Sequence, residues 1–175
     1  MDRSAGAGAS RAGGPRTQGS LASPDLQNID GLHQLAGSSE DILVEIHGTL
    51  REVMCMSCGE RAEMQRALDR VRAGEADPDC KSCGGILKSA TISFGQELVA
   101  EDVARAHRAA ENCDVFLAIG TSLTVYPVAY LPQVAVASGA KLVIVNEQPT
   151  PLDSHAATVF NAPIAKILPA LAAAV

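Results

Sequence analysis

Cys55, Cys58, Cys80 and Cys83 fall in the pattern C-x2-C-x21-C-x2-C. Each CxxC pair turns two thiolates from one tight turn toward a common point, and two pairs together close a tetrahedral shell of sulfur around one cation. Zn2+ suits such a shell, because four thiolates leave no open coordination position and zinc makes no redox demand. The expected role is therefore structural. Gly59 and the Gly84-Gly85 pair follow the cysteines directly and free the backbone to turn its amides toward the sulfurs. The fifth cysteine, Cys113, stands alone before an apolar run and reads as core. An odd count with paired spacing argues for metal-ligating thiols in a reducing compartment, and so for the cytoplasm, over a secreted disulfide framework.

A second set of chemistry-bearing residues clusters around apolar runs. "LQNIDGLHQLAG", Leu26 to Gly37, carries Gln27, Asn28 and Asp30, and is followed closely by "ILVEIHGTL" with His47. Polar side chains beside a buried strand are costly unless partnered, so the arrangement suggests a site. "AIGTSL" ends an apolar strand at Gly120, Thr121 and Ser122, and "VIVNEQPT" ends another at Asn146 and Glu147. In open α/β sheets ligands bind at the carboxyl ends of strands, where free amides approach a phosphate and a polar side chain can bond a ribose hydroxyl. Each of these signals taken alone has an ordinary alternative. A strand-end histidine is more often structural, and Asn146 and Glu147 would equally serve a polar loop. Three polar strand ends together with "QNID" favour a site.

The elements that must carry these residues follow from the apolar pattern. "DILVEI", "VFLAIG" and "KLVIVN" are short runs of Val, Ile and Leu, as expected for strands covered on both faces of a parallel sheet, with "TISF" and "TVF" as weaker candidates. Val103, Ala106, His107 and Ala110 line one helical face. A second helix is expected from Pro127 to Gly139, delayed or bent by Pro132, and a third around Ile164, Ile167, Leu168 and Leu171. Strands alternating with helices imply an α/β class: a partial Rossmann-type parallel sheet. The expected organisation is a Gly/Ala-rich disordered tail over 1–24, a nucleotide-binding domain over 25–53 and 88–175, and an inserted zinc module over 54–87 with a helix at Met64, Leu68 and Val71.

With 175 residues, 47% of them apolar and 19% charged, the chain can bury a core. A net charge of −6 and a pI near 5.1 disfavour a nucleic-acid partner, which needs clustered Lys and Arg. No apolar run reaches the length of a membrane span, so no membrane partner is expected.

"QNIDGLH", "EIHG", the two CxxC pairs, "SFGQ", "IGTSLTVYP" and "VIVNE" occur in the order and approximate spacing of the sirtuins, NAD-dependent protein lysine deacylases, and the resemblance spans about residues 25–170. It implies an enzyme that transfers an acyl group from lysine to ADP-ribose and releases nicotinamide, with NAD as co-substrate, structural zinc and an acyl-lysine protein or peptide as substrate. By the same resemblance His47 is the general base that takes a proton from a ribose hydroxyl, and imidazole suits that task because it titrates near neutral pH. Gln27, Asn28, Ile29 and Asp30 are similar to the residues that hold the nicotinamide ribose and carboxamide. Gly120, Thr121 and Ser122 match the phosphate and ribose contacts, Asn146 and Glu147 the adenosine ribose contacts, and Ile164 the adenine contact. The peptide is expected as an added strand, held by main-chain hydrogen bonds around Phe94, Gly95, Leu123 and Val125.

The family also has a Gly-rich turn after a first strand, a "PDFR" cofactor loop and a helical module ahead of "QNID". Only 26 residues precede that motif here, so these parts are expected to be lacking, and "GAGAS" at Gly6 to Ser10 is read as a coincidence of the tail. Two expectations follow. Without a first strand the sheet would keep an open edge prone to self-association, and a second reading arises: a catalytically silent zinc-, nucleotide- and peptide-binding module. Gln96 stands where the family usually has an acid after "FG".

Overall fold

A computed structural model of the chain describes residues 6–8 and 23–173. The described chain divides into two compact units. One takes Ser39–Ile46 and the chain from Val99 together with the two strands nearest the N-terminus; the other takes Asn28–Ser38 and His47–Leu98. The second unit is wider than the module expected from the cysteines, because it includes most of "QNID" and His47.

The first unit is built on a sheet of six strands: β1 (Gly6–Gly8), β2 (Ser23–Leu26), β3 (Val44–Glu45), β7 (Val115–Ile119), β8 (Lys141–Val145) and β9 (Thr158–Phe160), in the order β3-β2-β1-β7-β8-β9. β7, β8 and β9 are parallel, in unbroken register from Val115 opposite Lys141 to Ile119 opposite Val145. β2 and β3 are also parallel. β1 is antiparallel to both neighbours, pairing Ala7 with Leu117 and Gly8 with Phe116. Within the segment expected as a structureless tail, Gly6–Gly8 and the start of β2 are strands, and β1 lies along β7, where an open edge was expected. The remainder of the expected tail, 1–5 and 9–22, lies outside the described residues.

In β8, Leu142, Ile144 and Val145 are buried, as the run of β-branched and aliphatic residues requires for a strand covered on both faces. Helix α3 (Ala100–Asn112) buries Ala106 and Ala110, while α4 (Leu131–Ala137) buries Leu131, Pro132 and Ala135 and packs on β7, β8 and α3. The small alanines allow close helix approach. Pro127 opens a short 3-10 turn, Val128–Tyr130, and the regular helix is delayed to Leu131, with Pro132 in the first turn of α4, where its missing N–H costs nothing. Arg105 of α3 donates to the carbonyls of Asp41 and Leu43 and so holds the entry to β3. The strand expected over "DILVEI" is regular only at Val44–Glu45, although Leu43 and Ile46 are buried. Helix α5 (Ile164–Ala173) closes the described chain.

The second unit holds a short helix α1 (Leu32–Leu35) and an antiparallel sheet of β5 (Arg61–Glu63), β4 (Gly48–Cys55) and β6 (Leu87–Thr91), with α2 (Met64–Arg72) packed on β4. The strand lies at Leu87–Thr91, ahead of the "TISF" candidate, because Met54 and Cys55 pair with Lys88 and Leu87. Beyond α2, Arg70 donates to both Glu75 oxygens, at 2.6 and 2.5 Å, and to the Asp79 carbonyl at 2.6 Å. That fork holds the Glu75 carboxyl below the usual carboxylate range, chiefly through the hydrogen bond from Arg70.

Two outcomes are expected. Ile144→Ala, at a fully buried site, should lower unfolding free energy by roughly 2–5 kcal/mol in denaturant titrations. Glu75→Gln should lower the thermal midpoint at neutral pH. Because the folded pKa of Glu75 is depressed, its stabilisation is present above the unfolded carboxylate pKa and is lost as pH falls through the folded value, so the gap between the two proteins should close in acid.

Candidate functional site

Cys55 ends β4, and the turn after it is closed by hydrogen bonds from Gly59 N–H to the Cys55 carbonyl, 3.0 Å, and from Cys55 N–H to the Glu60 carbonyl, 2.9 Å. The second pair repeats the device: Gly84 N–H donates to the Cys80 carbonyl and Cys80 N–H to the Gly85 carbonyl, both at 2.8 Å. Gly59 and Gly84 have φ of +74° and +70°, a conformation that glycine adopts without strain. The turns bring the four Sγ atoms within 4.8 Å of one another, with Cys55 to Cys83 at 3.5 Å and Cys58 to Cys80 at 3.7 Å. Four thiolates about 2.3 Å from a central zinc lie about 3.8 Å apart along the edges of a tetrahedron, so the donor set fits Zn2+ in both chemistry and size. The cradle is tight: a Cβ on Gly85 would lie 2.8 Å from Cys55 Sγ and 2.6 Å from Ser57 Oγ.

The thiols are electrostatically unequal. Backbone N–H groups of Cys58 and Ser57 point at Cys55 and bring its pKa down to about 6. At Cys80 the amides of Ser82 and Cys83 pull the same way, but burial and the hydrogen bonds with Glu60 and Cys58 outweigh them and push it up to about 12. A divalent cation at the centre would displace that proton.

In the same unit, His47 immediately precedes β4 and is half-buried; its backbone carbonyl accepts Ile92 N–H at 2.9 Å. Gly48 has φ of +76°, and a Cβ there would meet the Ala90 carbonyl oxygen at 2.1 Å, so the residue after His47 must be glycine for β4 to lie against β6. The "NID" part of the motif joins β4 through Leu50 N–H to the Ile29 carbonyl, 2.9 Å. Asp30 uses one oxygen, Oδ1, to accept Leu32 N–H at 3.1 Å. Its other oxygen, Oδ2, is buried with no hydrogen-bond partner among the described residues, as is Gln34 Oε1 one helical turn on. A buried acceptor without a donor costs free energy until a ligand supplies one, and an amide N–H is such a donor. The Ile92–Gln96 segment carries Phe94 and Gly95 on a turn, with the Phe94 side chain 98% exposed.

In the first unit, Gly120 to Ser122 and Asn146 to Glu147 stand at the carboxyl ends of the adjacent parallel strands β7 and β8. Gly120, with φ of +59°, donates its N–H to the Val145 carbonyl at 2.9 Å. The Thr121 hydroxyl donates to Gln27 Oε1 at 2.9 Å and accepts Leu123 N–H at 3.2 Å, which joins the first residue of "QNID" to the β7 end. These residues line a cavity of about 20 Å³ with Phe116, Ala118 and Leu131, roughly the room of one water. Asn146 turns its side-chain amide to the Gln148 carbonyl at 2.7 Å, and its own N–H goes to the Phe160 carbonyl at 3.1 Å. Glu147 is exposed, and Ile164 opens α5. Leu123 is buried with φ of +55°, so only its backbone is available to a ligand, whereas Val125 is half-buried. Sequence reasoning missed Gln34, whose type alone carries no signal, gave Gly48 no role, and treated Gly85 as no more than a turn residue.

The parallel β7-β8-β9 sheet with polar strand ends and the closed thiolate cluster define a class: Rossmann-type α/β proteins with a zinc-binding module. The Sir2 family profile matches residues 16–127. NAD-dependent protein deacetylase 2 of Streptomyces coelicolor is 50% identical over 145 residues, covering 83% of this chain and 60% of that protein. The NAD-dependent protein deacetylase of Rhodopseudomonas palustris is 43% identical over 143 residues, covering 81% and 56%. Among solved structures, a Sir2 with p53 peptide and NAD+ superposes with a TM-score of 0.78 at 31% identity, covering 86% of this chain and 61% of that one. Sir2Tm bound to a propionylated peptide gives 0.79 at 31% identity over 86% and 62%. This chain belongs to the Sir2 family, as the sirtuin motifs imply, and spans 56% to 60% of the length of the two curated relatives.

Purified protein should carry one zinc per chain, removable by a strong chelator with loss of the β4-β5-β6 sheet. Gly85→Ala should weaken zinc binding roughly tenfold in chelator competition, because the added methyl collides with Cys55 Sγ.

Proposed function

We propose that this protein acts in NAD-dependent deacylation of protein lysine, releasing nicotinamide and passing the acyl group to ADP-ribose. The observation that carries the reading is the Asp30 carboxylate, fixed through Oδ1 while the buried Oδ2 offers an acceptor to a ligand amide such as the carboxamide of nicotinamide. The Sir2 relatives, named as NAD-dependent deacetylases and solved with NAD+ or acylated peptide, support it.

Bound NAD supplies an electrophilic ribose carbon and an ADP-ribose group able to accept the acyl chain. Asn28 and Asp30, with Gln27 and Ile29 alongside, hold the nicotinamide end. Gly120, Thr121 and Ser122 would hold the phosphate and ribose portion at the strand end, Asn146 and Glu147 the adenosine ribose, and Ile164 the adenine. His47 takes the proton from a ribose hydroxyl at an imidazole nitrogen, with its backbone held by Ile92 and by the close approach at Gly48. An acyl-lysine peptide adds as a strand to the main chain of Phe94, Gly95, Leu123 and Val125. Zinc held by Cys55, Cys58, Cys80 and Cys83 is structural, since four sulfurs fill its coordination shell. Thiols kept for a metal suit a reducing compartment, and we assign the protein to the cytoplasm; no helix among the described residues is long and apolar enough to cross a membrane.

The test combines nicotinamide release with loss of acetyl from an acetyl-lysine peptide. His47→Ala should lower the rate by about 10²–10⁴-fold while zinc content and thermal midpoint stay at the wild-type values. A variant that deacylates at the wild-type rate would remove His47 from the chemistry, and a wild-type protein that releases no nicotinamide would remove the activity.

A further inference from the structure

The turn at Ser93 to Gln96 is held from beneath by a side-chain lock. Gln96 Oε1 accepts two hydrogen bonds, from Ser93 N–H at 2.8 Å and from Lys88 Nζ at 2.9 Å. Lys88, on β6, also donates to the Thr91 carbonyl at 2.6 Å, and Gln96 N–H returns to the Ser93 carbonyl at 2.9 Å. One amide oxygen thus ties the first residue of the turn to the ammonium group of the preceding strand. The bond from Lys88 is charge-assisted and stronger than a neutral one. Within this frame Gly95 takes φ of +86° and the Phe94 side chain is 98% exposed.

A single exposed aromatic residue is ordinary. A turn that fixes its backbone through both ends while presenting an aromatic ring wholly to solvent is different, because ordering costs conformational entropy that no burial of Phe94 repays. A preformed edge lowers the ordering cost when an extended peptide adds to it.

We propose that Lys88 and Gln96 are positioning residues that hold the Ser93–Gln96 turn in the shape that receives the acyl-lysine peptide, and so set peptide affinity without entering the NAD chemistry. The proposal rests on the deacylase reading and deepens it. Glutamate at position 96 would keep both acceptor contacts and exchange the lysine hydrogen bond for an ion pair, whereas alanine would remove them.

The experiment compares wild type, Gln96→Ala and Gln96→Glu, varying acetyl-lysine peptide and NAD separately, with amide hydrogen exchange on the same samples. Gln96→Ala should raise the peptide KM about fivefold, the loss expected for one net hydrogen bond, and speed exchange at Ser93. Its kcat and its KM for NAD should stay within about twofold of wild type, and exchange elsewhere in β4 and β6 should be unchanged, which shows a folded protein. Gln96→Glu should restore both the peptide KM and the slow Ser93 exchange. A competent wild type whose Gln96→Ala variant keeps the same peptide KM overturns this proposal alone. A wild type that neither binds nor deacylates the peptide overturns the deacylase reading, and this proposal with it.

Discussion

Four sulfur atoms gathered within 4.8 Å are the constraint on which the second unit depends. Apart from Cys55 and Cys80, its buried hydrophobic residues among those described are only Val53 and Ala90. So small a core cannot offset the conformational entropy of ordering the strands, and a closed thiolate site is the usual remedy in modules of this size. The cluster also fixes chain direction. Cys55 ends β4 while Cys80 and Cys83 lead into β6, so closing the shell sets these two strands antiparallel. At the other end of the same pair, Gly48 meets the Ala90 carbonyl and His47 is held to Ile92. A residue with no contact to the metal is thus placed by a strand pair that the metal-binding turns define.

The first unit meets the same need by hydrophobic burial. Leu142, Ile144 and Val145 of β8 are almost wholly covered, and the alanines of α3 and α4 let those helices approach closely. Such a scaffold is stiff, and its polar strand ends inherit the stiffness. Thr121 illustrates the point, since one hydroxyl both donates to Gln27 and accepts Leu123 N–H, leaving the Gly120 to Leu123 backbone with little freedom. Preorganised groups of this kind bind a polar ligand without first having to be ordered. The first unit thus carries fixed polar strand ends, and the second a histidine whose backbone is held and a carboxylate with one oxygen unpartnered among the described residues.

What the sequence determined by itself is what depends on residue type and short spacing. Paired cysteines with glycines after them favour a tetrahedral thiolate site, and runs such as "KLVIVN" favour strands covered on both faces. Motif order carried the family. Tertiary structure alone decided how distant segments pair, because a hydropathy pattern reports burial and is silent on which backbone N–H meets which carbonyl. The stretch Gly6–Gly8 offers no apolar periodicity, yet Ala7 and Gly8 pair with β7. A strand expected at "TISF" lies earlier, where the register with Met54 and Cys55 puts it. That Asp30 keeps one oxygen unpartnered among the described residues, that Gly85 has no room for a methyl group, and that Gln96 bonds both Lys88 and Ser93 are facts of distances between side chains and a folded backbone. Such distances arise only once long-range pairing has closed, which local sequence does not encode.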